Sequence, residues 1–158
     1  PSDTEITITR TFNAPRSLVW DVYTQCEHLV NWWGPAEWSL PVCEMDLRVG
    51  GQWKYCMRGP MPDGETMESC GLSTYQEIVP PEKLVHTDDF VDADFNPVEG
   101  MPQAQITVTF EEIDGRTTVS SVTRYSTKEE RDQVLEMGVE AGTSQMLDKL
   151  EVYLKTLA

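Results

Sequence analysis

Apolar and polar positions alternate with period two along most of this chain, and the period lengthens to a helical one only near its start and at its end. Residues 5–12, EITITRTF, set Ile6, Ile8 and Phe12 on one face of a half-buried first strand. Pro15 suits the first turn of a helix, because its fixed φ is helical and its missing N–H is not needed there. Leu18, Val19, Val22 and Tyr23 supply that helix with an apolar stripe, and Glu27 to Trp33 reads as a second short helix stopped by Gly34-Pro35. Strands are then expected over 38–48, 52–58, 67–79 and 83–91, with a reversal at Gly50-Gly51, a loop at GPMPDG (59–64) and a stop at Pro80-Pro81. After a polar loop over 92–103, the runs 105–113 and 116–125 flank Asp114-Gly115, a dipeptide suited to the two positive φ angles of a tight hairpin turn.

From Ser126 onward one long helix is expected. Ser126-Thr127 ahead of Glu129-Glu130 offers a capping box, and Leu135, Val139, Met146, Leu150, Tyr153 and Leu157 recur at helical spacing. Gly138 and Gly142 lie on the same face, where two glycines imply a close approach or a bend. No repeat or break divides the chain, so residues 1–158 read as one α+β domain.

Charge narrows the function classes. Twelve basic against 27 acidic residues give a net charge of −15, which repels phosphate backbones and anionic lipid surfaces. Neither nucleic-acid nor membrane binding is expected, and no apolar run is long enough to span a bilayer. Cys26, Cys43, Cys56 and Cys70 form no C-x-x-C pair, and a core of this size needs no staples. They read as free thiols of a reducing compartment, which places the protein in the cytoplasm.

Several segments carry a family resemblance. TRTFNAPRSLVWDVYT (9–24), NWWGP (31–35), DLRVGGQW (46–53), YQEIVPPEKLVHTD (75–88), ITVTFEEIDGRTTV (106–119) and STKEERDQVLEMGVEAGTSQMLDKLEVYL (126–154) together resemble activator-of-heat-shock-protein-90-ATPase homologues. That group lies within the START and birch-pollen-allergen superfamily. The resemblance implies a helix-grip fold, in which a seven-stranded curved antiparallel sheet wraps a long C-terminal helix and two short helices follow strand one. It departs at Thr143, where many relatives carry a large aromatic, and at Gly71, two residues earlier than the usual strand-four glycine.

In that fold the concave sheet face and the long helix enclose a cavity. Its expected lining is Trp33 at the mouth, Trp53, Tyr55 and Met57 from strand three, His86 from strand five, and Ser121, Thr123 and Tyr125 from the last strand, with Met137, Gly138, Ala141, Gly142 and Met146 from the helix. Trp32 is expected to pack. Hydroxyls at 121 and 123 between Val119 and Tyr125 suit a mixed apolar-polar pocket better than a sealed core; the alternatives are that Ser120, Val122 and Arg124 form the inward face, or that the two hydroxyls bond locally.

Candidates for catalysis are few. The Ser-nucleophile, P-loop, dinucleotide and zinc-protease motifs are missing, and only two histidines are present, so no metal or other cofactor is expected. His86 and Asp88 share a strand face and form the weak candidate for a general base; the preferred reading is a surface pair near a strand end. Glu44 and Asp46 also share a face, more simply as a solvated edge. The leading expectation is therefore non-covalent binding of a small hydrophobic or aromatic molecule. A module stimulating a chaperone ATPase, with that chaperone as partner, is the second, and a polyketide cyclase or aromatase-like enzyme the third. A homodimer is a reasonable expectation in each case.

Overall fold

A computed structural model describes residues 3–34 and 36–157. Pro35, expected to stop the second helix, lies outside the described residues, as do the two ends of the expected domain. The order is β1 (Glu5–Phe12), α1 (Arg16–Thr24), α2 (Cys26–Leu29), β2 (Ser39–Met45), β3 (Gln52–Pro60), β4 (Thr66–Val79), β5 (Lys83–Val91), β6 (Ala104–Ile113), β7 (Arg116–Arg124), α3 (Lys128–Glu136) and α4 (Val139–Leu157). All neighbouring strands are antiparallel, in the spatial order β1-β7-β6-β5-β4-β3-β2. This is the helix-grip α+β arrangement. No helix among the described residues is long and apolar enough to cross a membrane.

Turn chemistry accounts for the register. Asp114 and Gly115 take φ of 54° and 79°, the two positive values that let β6 and β7 pair across a two-residue turn. That pairing aligns Ile106 with Thr123, Val108 with Ser121 and Phe110 with Val119. Strand period two then commits these residues to the concave face together.

The core has two regions under the helices. Phe12, Val19, Val22, Leu29 and Trp32 are sealed beneath α1 and α2 together with Leu150 of α4. A second cluster joins Ile6, Ala104 and Tyr125 to Val134 of α3. Lys149 holds α4 against the segment before β2 by donating to the carbonyls of Gly34 (3.1 Å) and Trp38 (3.2 Å). Burial pushes its ammonium pKa below the ordinary value.

Two expectations need correction. The long C-terminal helix is two helices, because the chain takes a φ of +82° at Gly138, outside the helical range. Met137 and Gly138 donate to the carbonyls of Val134 and Leu135, which closes α3 before α4 begins. The break rephases the apolar face. Val134, Leu147, Leu150 and Leu154 are the buried positions, so Leu150 alone of the expected stripe is fully buried. The N-terminus of α3 does carry a capping box: Thr127 accepts from the Glu130 amide (3.1 Å), and the Glu130 carboxylate accepts from the Ser126 amide (3.0 Å).

The cysteines are paired, not free. Cys26–Cys43 ties the start of α2 to β2, and Cys56–Cys70 crosses β3 and β4, where the register sets those residues opposite each other. The two sequence separations, 17 and 14, hid contacts that only strand register and the docking of α2 create. The inference of a reducing compartment from free thiols loses its basis.

Candidate functional site

Beneath α3 and the first half of α4 the sheet stands clear of the helices and leaves a cavity of about 410 Å³. Small residues hold it open: Gly142 and Thr143 face it from α4, and Gly71 and Ala104 from the sheet. Gly71 has a specific reason. Tyr55 lies across it, and a β-carbon there would stand 2.4 Å from the Tyr55 hydroxyl.

The expected lining residues gather round this space with one exception. Trp53, Tyr55 and Met57 of β3, His86 of β5, and Ser121 and Thr123 of β7 all face it, with Tyr125 just beyond β7. Trp33, Gly138, Gly142 and Met146 line the helical side, and Met137 lies at the rim, 56% exposed. Ala141 instead is exposed to solvent and takes no part in the lining. Sequence reasoning missed Tyr75 and Arg10. A register shift between Tyr75 and Glu77 interrupts the alternation that marks an inward face.

Aromatic rings form one side of the cavity. Trp33 stands edge-on to Trp53 at 4.9 Å and to Tyr55 at 5.9 Å, and Trp53 and Tyr55 lie 4.4 Å apart. Behind Trp33, Trp32 is fully buried and donates its indole N–H to the Val22 carbonyl at 3.0 Å. The row continues through Tyr23, Phe110 and Trp20, with successive centroids 4.9 to 5.4 Å apart.

His86 and Asp88 are not the surface pair preferred from the sequence. His86 is 9% exposed, and both side chains face the cavity. Pairing of Ser73 with Asp88 across β4 and β5 puts the fully buried Ser73 hydroxyl 2.6 Å from Asp88 Oδ1. His86 Nδ1 lies 2.7 Å from the same oxygen. A period-two reading puts 86 and 88 on one face but cannot say whether that face is wet. Glu44 and Asp46, by contrast, are exposed, and Asp46 pairs with Arg48 at 2.7 Å.

The charge on Asp88 reaches across the cavity. Burial raises the hydroxyl pKa of Tyr55 and Tyr75 above the ordinary tyrosine value, and the nearby Asp88 carboxylate raises both further. Tyr125 is pushed up to about 12 for the same two reasons, in the same order. Burial also raises Tyr23, offset in part by the Arg10 cation. These tyrosines stay neutral near pH 7 and can both donate and accept hydrogen bonds. The cavity thus has an aromatic wall, aliphatic flanks and a floor of hydroxyls, imidazole and carboxylate. Such a space can hold an apolar molecule and orient its polar end.

Comparison with known proteins agrees with the fold. Residues 13–155 match the family model described as Activator of Hsp90 ATPase homolog 1-like protein. A crystal structure of a Mycobacterium smegmatis protein is 34% identical, with a TM-score of 0.87 over 96% of this chain and 91% of that one. A solution structure from Staphylococcus epidermidis is 31% identical, with a TM-score of 0.84 over 100% of this chain and 93% of that one. Another, from Arthrobacter aurescens, is 27% identical, with a TM-score of 0.86 over 98% and 87%. No curated protein matches the chain.

Proposed function

This chain belongs to the Activator of Hsp90 ATPase homolog 1-like family, and from that premise we propose that it binds a small hydrophobic or aromatic molecule, without covalent chemistry, in the cavity under α3 and α4. The observation that carries this reading is a cavity of about 410 Å³, walled by Trp33, Trp53 and Tyr55. Protein interiors are close-packed, and space of this size loses dispersion contacts on every side. A volume within the range of ligand pockets fits a chain whose packing is completed by a guest.

The test is a thermal-shift and calorimetric screen of aromatic metabolites and lipids. At least one class should raise the unfolding temperature, since a ligand at 100 times its Kd adds about 2.7 kcal/mol. Thr143→Trp, which places an indole in the space, should abolish the shift while the protein stays folded. A screen in which nothing binds, or in which Thr143→Trp leaves binding intact, would sink the reading.

The family description itself supports a second reading, a module that stimulates a chaperone ATPase. Docking of that kind uses a contiguous apolar or charged surface. The large apolar side chains most exposed here include Val49 in the β2–β3 connection, Ile113 at the end of β6 and Val152 on α4. A pull-down against the host chaperone with an ATPase assay decides it: no capture and an unchanged rate remove this role.

A further inference from the structure

Resting on the cavity-binding reading, we infer that the cavity selects an aromatic molecule carrying a neutral hydroxyl group, whose O–H is donated to His86 Nε2. The geometry that leads there begins at Asp88. A carboxylate accepts hydrogen bonds and donates none, so the His86 nitrogen 2.7 Å from Asp88 Oδ1 carries a proton, which in the neutral ring is the only one. Ser73 donates to the same oxygen at 2.6 Å and holds the carboxylate in place. With its proton on Nδ1, His86 presents Nε2 as a bare lone pair. That nitrogen and the second oxygen of Asp88 make no hydrogen bond among the described residues, and both open onto the cavity and are not sealed in the wall. A histidine 9% exposed, with an unused acceptor on a cavity wall, is a receptor for a donor.

Charge and shape decide which donor. Asp88 and Asp89 both line the cavity, and Arg10, the one basic side chain in its lining among the described residues, is held by Asp148 at 2.8 Å. A carboxylate ligand would meet like charge and bare acceptors. An ammonium would lose its hydration in a mainly apolar space, at a cost of several kcal/mol. A neutral hydroxyl satisfies Nε2 without either penalty. The flat, edge-on rings of Trp33, Trp53 and Tyr55 favour an aromatic body over a branched aliphatic one.

The experiment measures the affinities of β-naphthol, its methyl ether and β-naphthoate by calorimetry, for the unmodified protein and for His86→Leu. The naphthol should bind about tenfold tighter than the ether, the worth of one buried hydrogen bond. The naphthoate should bind most weakly, and His86→Leu should bring naphthol and ether to equal affinity. Nitrogen-15 spectra of the histidine rings add a readout that needs no variant, because the chain has only two histidines. In the free protein His86 should carry its proton on Nδ1, with an Nε2 signal that moves on addition of naphthol and not of ether. Equal binding of naphthol and ether by the unmodified protein, or a proton on Nε2 in the free protein, overturns this inference and leaves cavity binding standing. No binding by any of the three overturns this inference, and cavity binding falls with it only when the wider screen of aromatic metabolites and lipids is also empty.

Discussion

A methyl group on Gly71 would stand 2.4 Å from the Tyr55 hydroxyl and 2.5 Å from the ring carbon that bears it, so one of the two must move. Gly71→Ala should therefore lower stability by about 1–3 kcal/mol, as overpacking does, and displace Tyr55 into the cavity. Chemical denaturation measures the first effect, and loss of cavity ligands the second. Tyrosine also determines how the protein meets alkali. Tyr23, Tyr55, Tyr75 and Tyr125 all have folded-state pKa values raised above the ordinary 10.0. Below that value the hydroxyls are neutral in both states, and the stabilising preference for the neutral form is fully present. Above it the unfolded chain ionises first, so stability falls as pH rises from 10.0 through about 12 for Tyr125 and further for the others. Urea midpoints should fall across that window as tyrosinate absorbance rises; a flat profile contradicts the burial of these hydroxyls.

Among the elements, the junction at Gly138 tests why the last helix is split. A β-carbon there meets nothing within 4 Å, so Gly138→Ala acts through φ alone. The expected loss is about 1–2 kcal/mol in a thermal or urea transition, with cavity binding retained. A stabilised variant would mean that the chain prefers one continuous helix. The same junction marks the limit of what the sequence revealed. Strand positions followed from period-two alternation and the turn from Asp114-Gly115, both local; alternation also put Trp53 with Tyr55 and Ser121 with Thr123 on one face each, without saying which face turns inward. The break at Gly138, by contrast, depends on α3 and α4 meeting different parts of the sheet, through Val134 and through Leu147, Leu150 and Leu154. Nor does alternation know depth. It put His86 and Asp88 on one face, yet only the pairing of β4 with β5, which sets Ser73 under Asp88, takes that face out of solvent.

At the scale of the whole molecule, two disulfides brace the sheet half that carries the aromatic wall. Cys26–Cys43 closes a loop of 17 residues and Cys56–Cys70 one of 14. Each constrains the unfolded chain by about 3 kcal/mol on the loop-entropy account. Reductant, or the Cys26→Ala/Cys43→Ala and Cys56→Ala/Cys70→Ala pairs, should lower the urea midpoint by a matching amount; no change on reduction would mean that the bridges do not form. The first bridge also bears on the wall itself, since Trp53 donates its indole N–H to Cys43 Sγ at 3.3 Å. From Trp20 through Phe110, Tyr23, Trp32 and Trp33 to Trp53 and Tyr55, no ring centroid is more than 5.4 Å from the next. Within this row the indoles Trp32, Trp33 and Trp53 follow one another at 5.3 and 4.9 Å, and at such spacings an excited indole passes its energy to the next indole faster than it emits. Light absorbed deep in the dry interior can thus be emitted or quenched at Trp33 and Trp53, so the protein's own ultraviolet glow should dim or shift colour as soon as a guest lies against them.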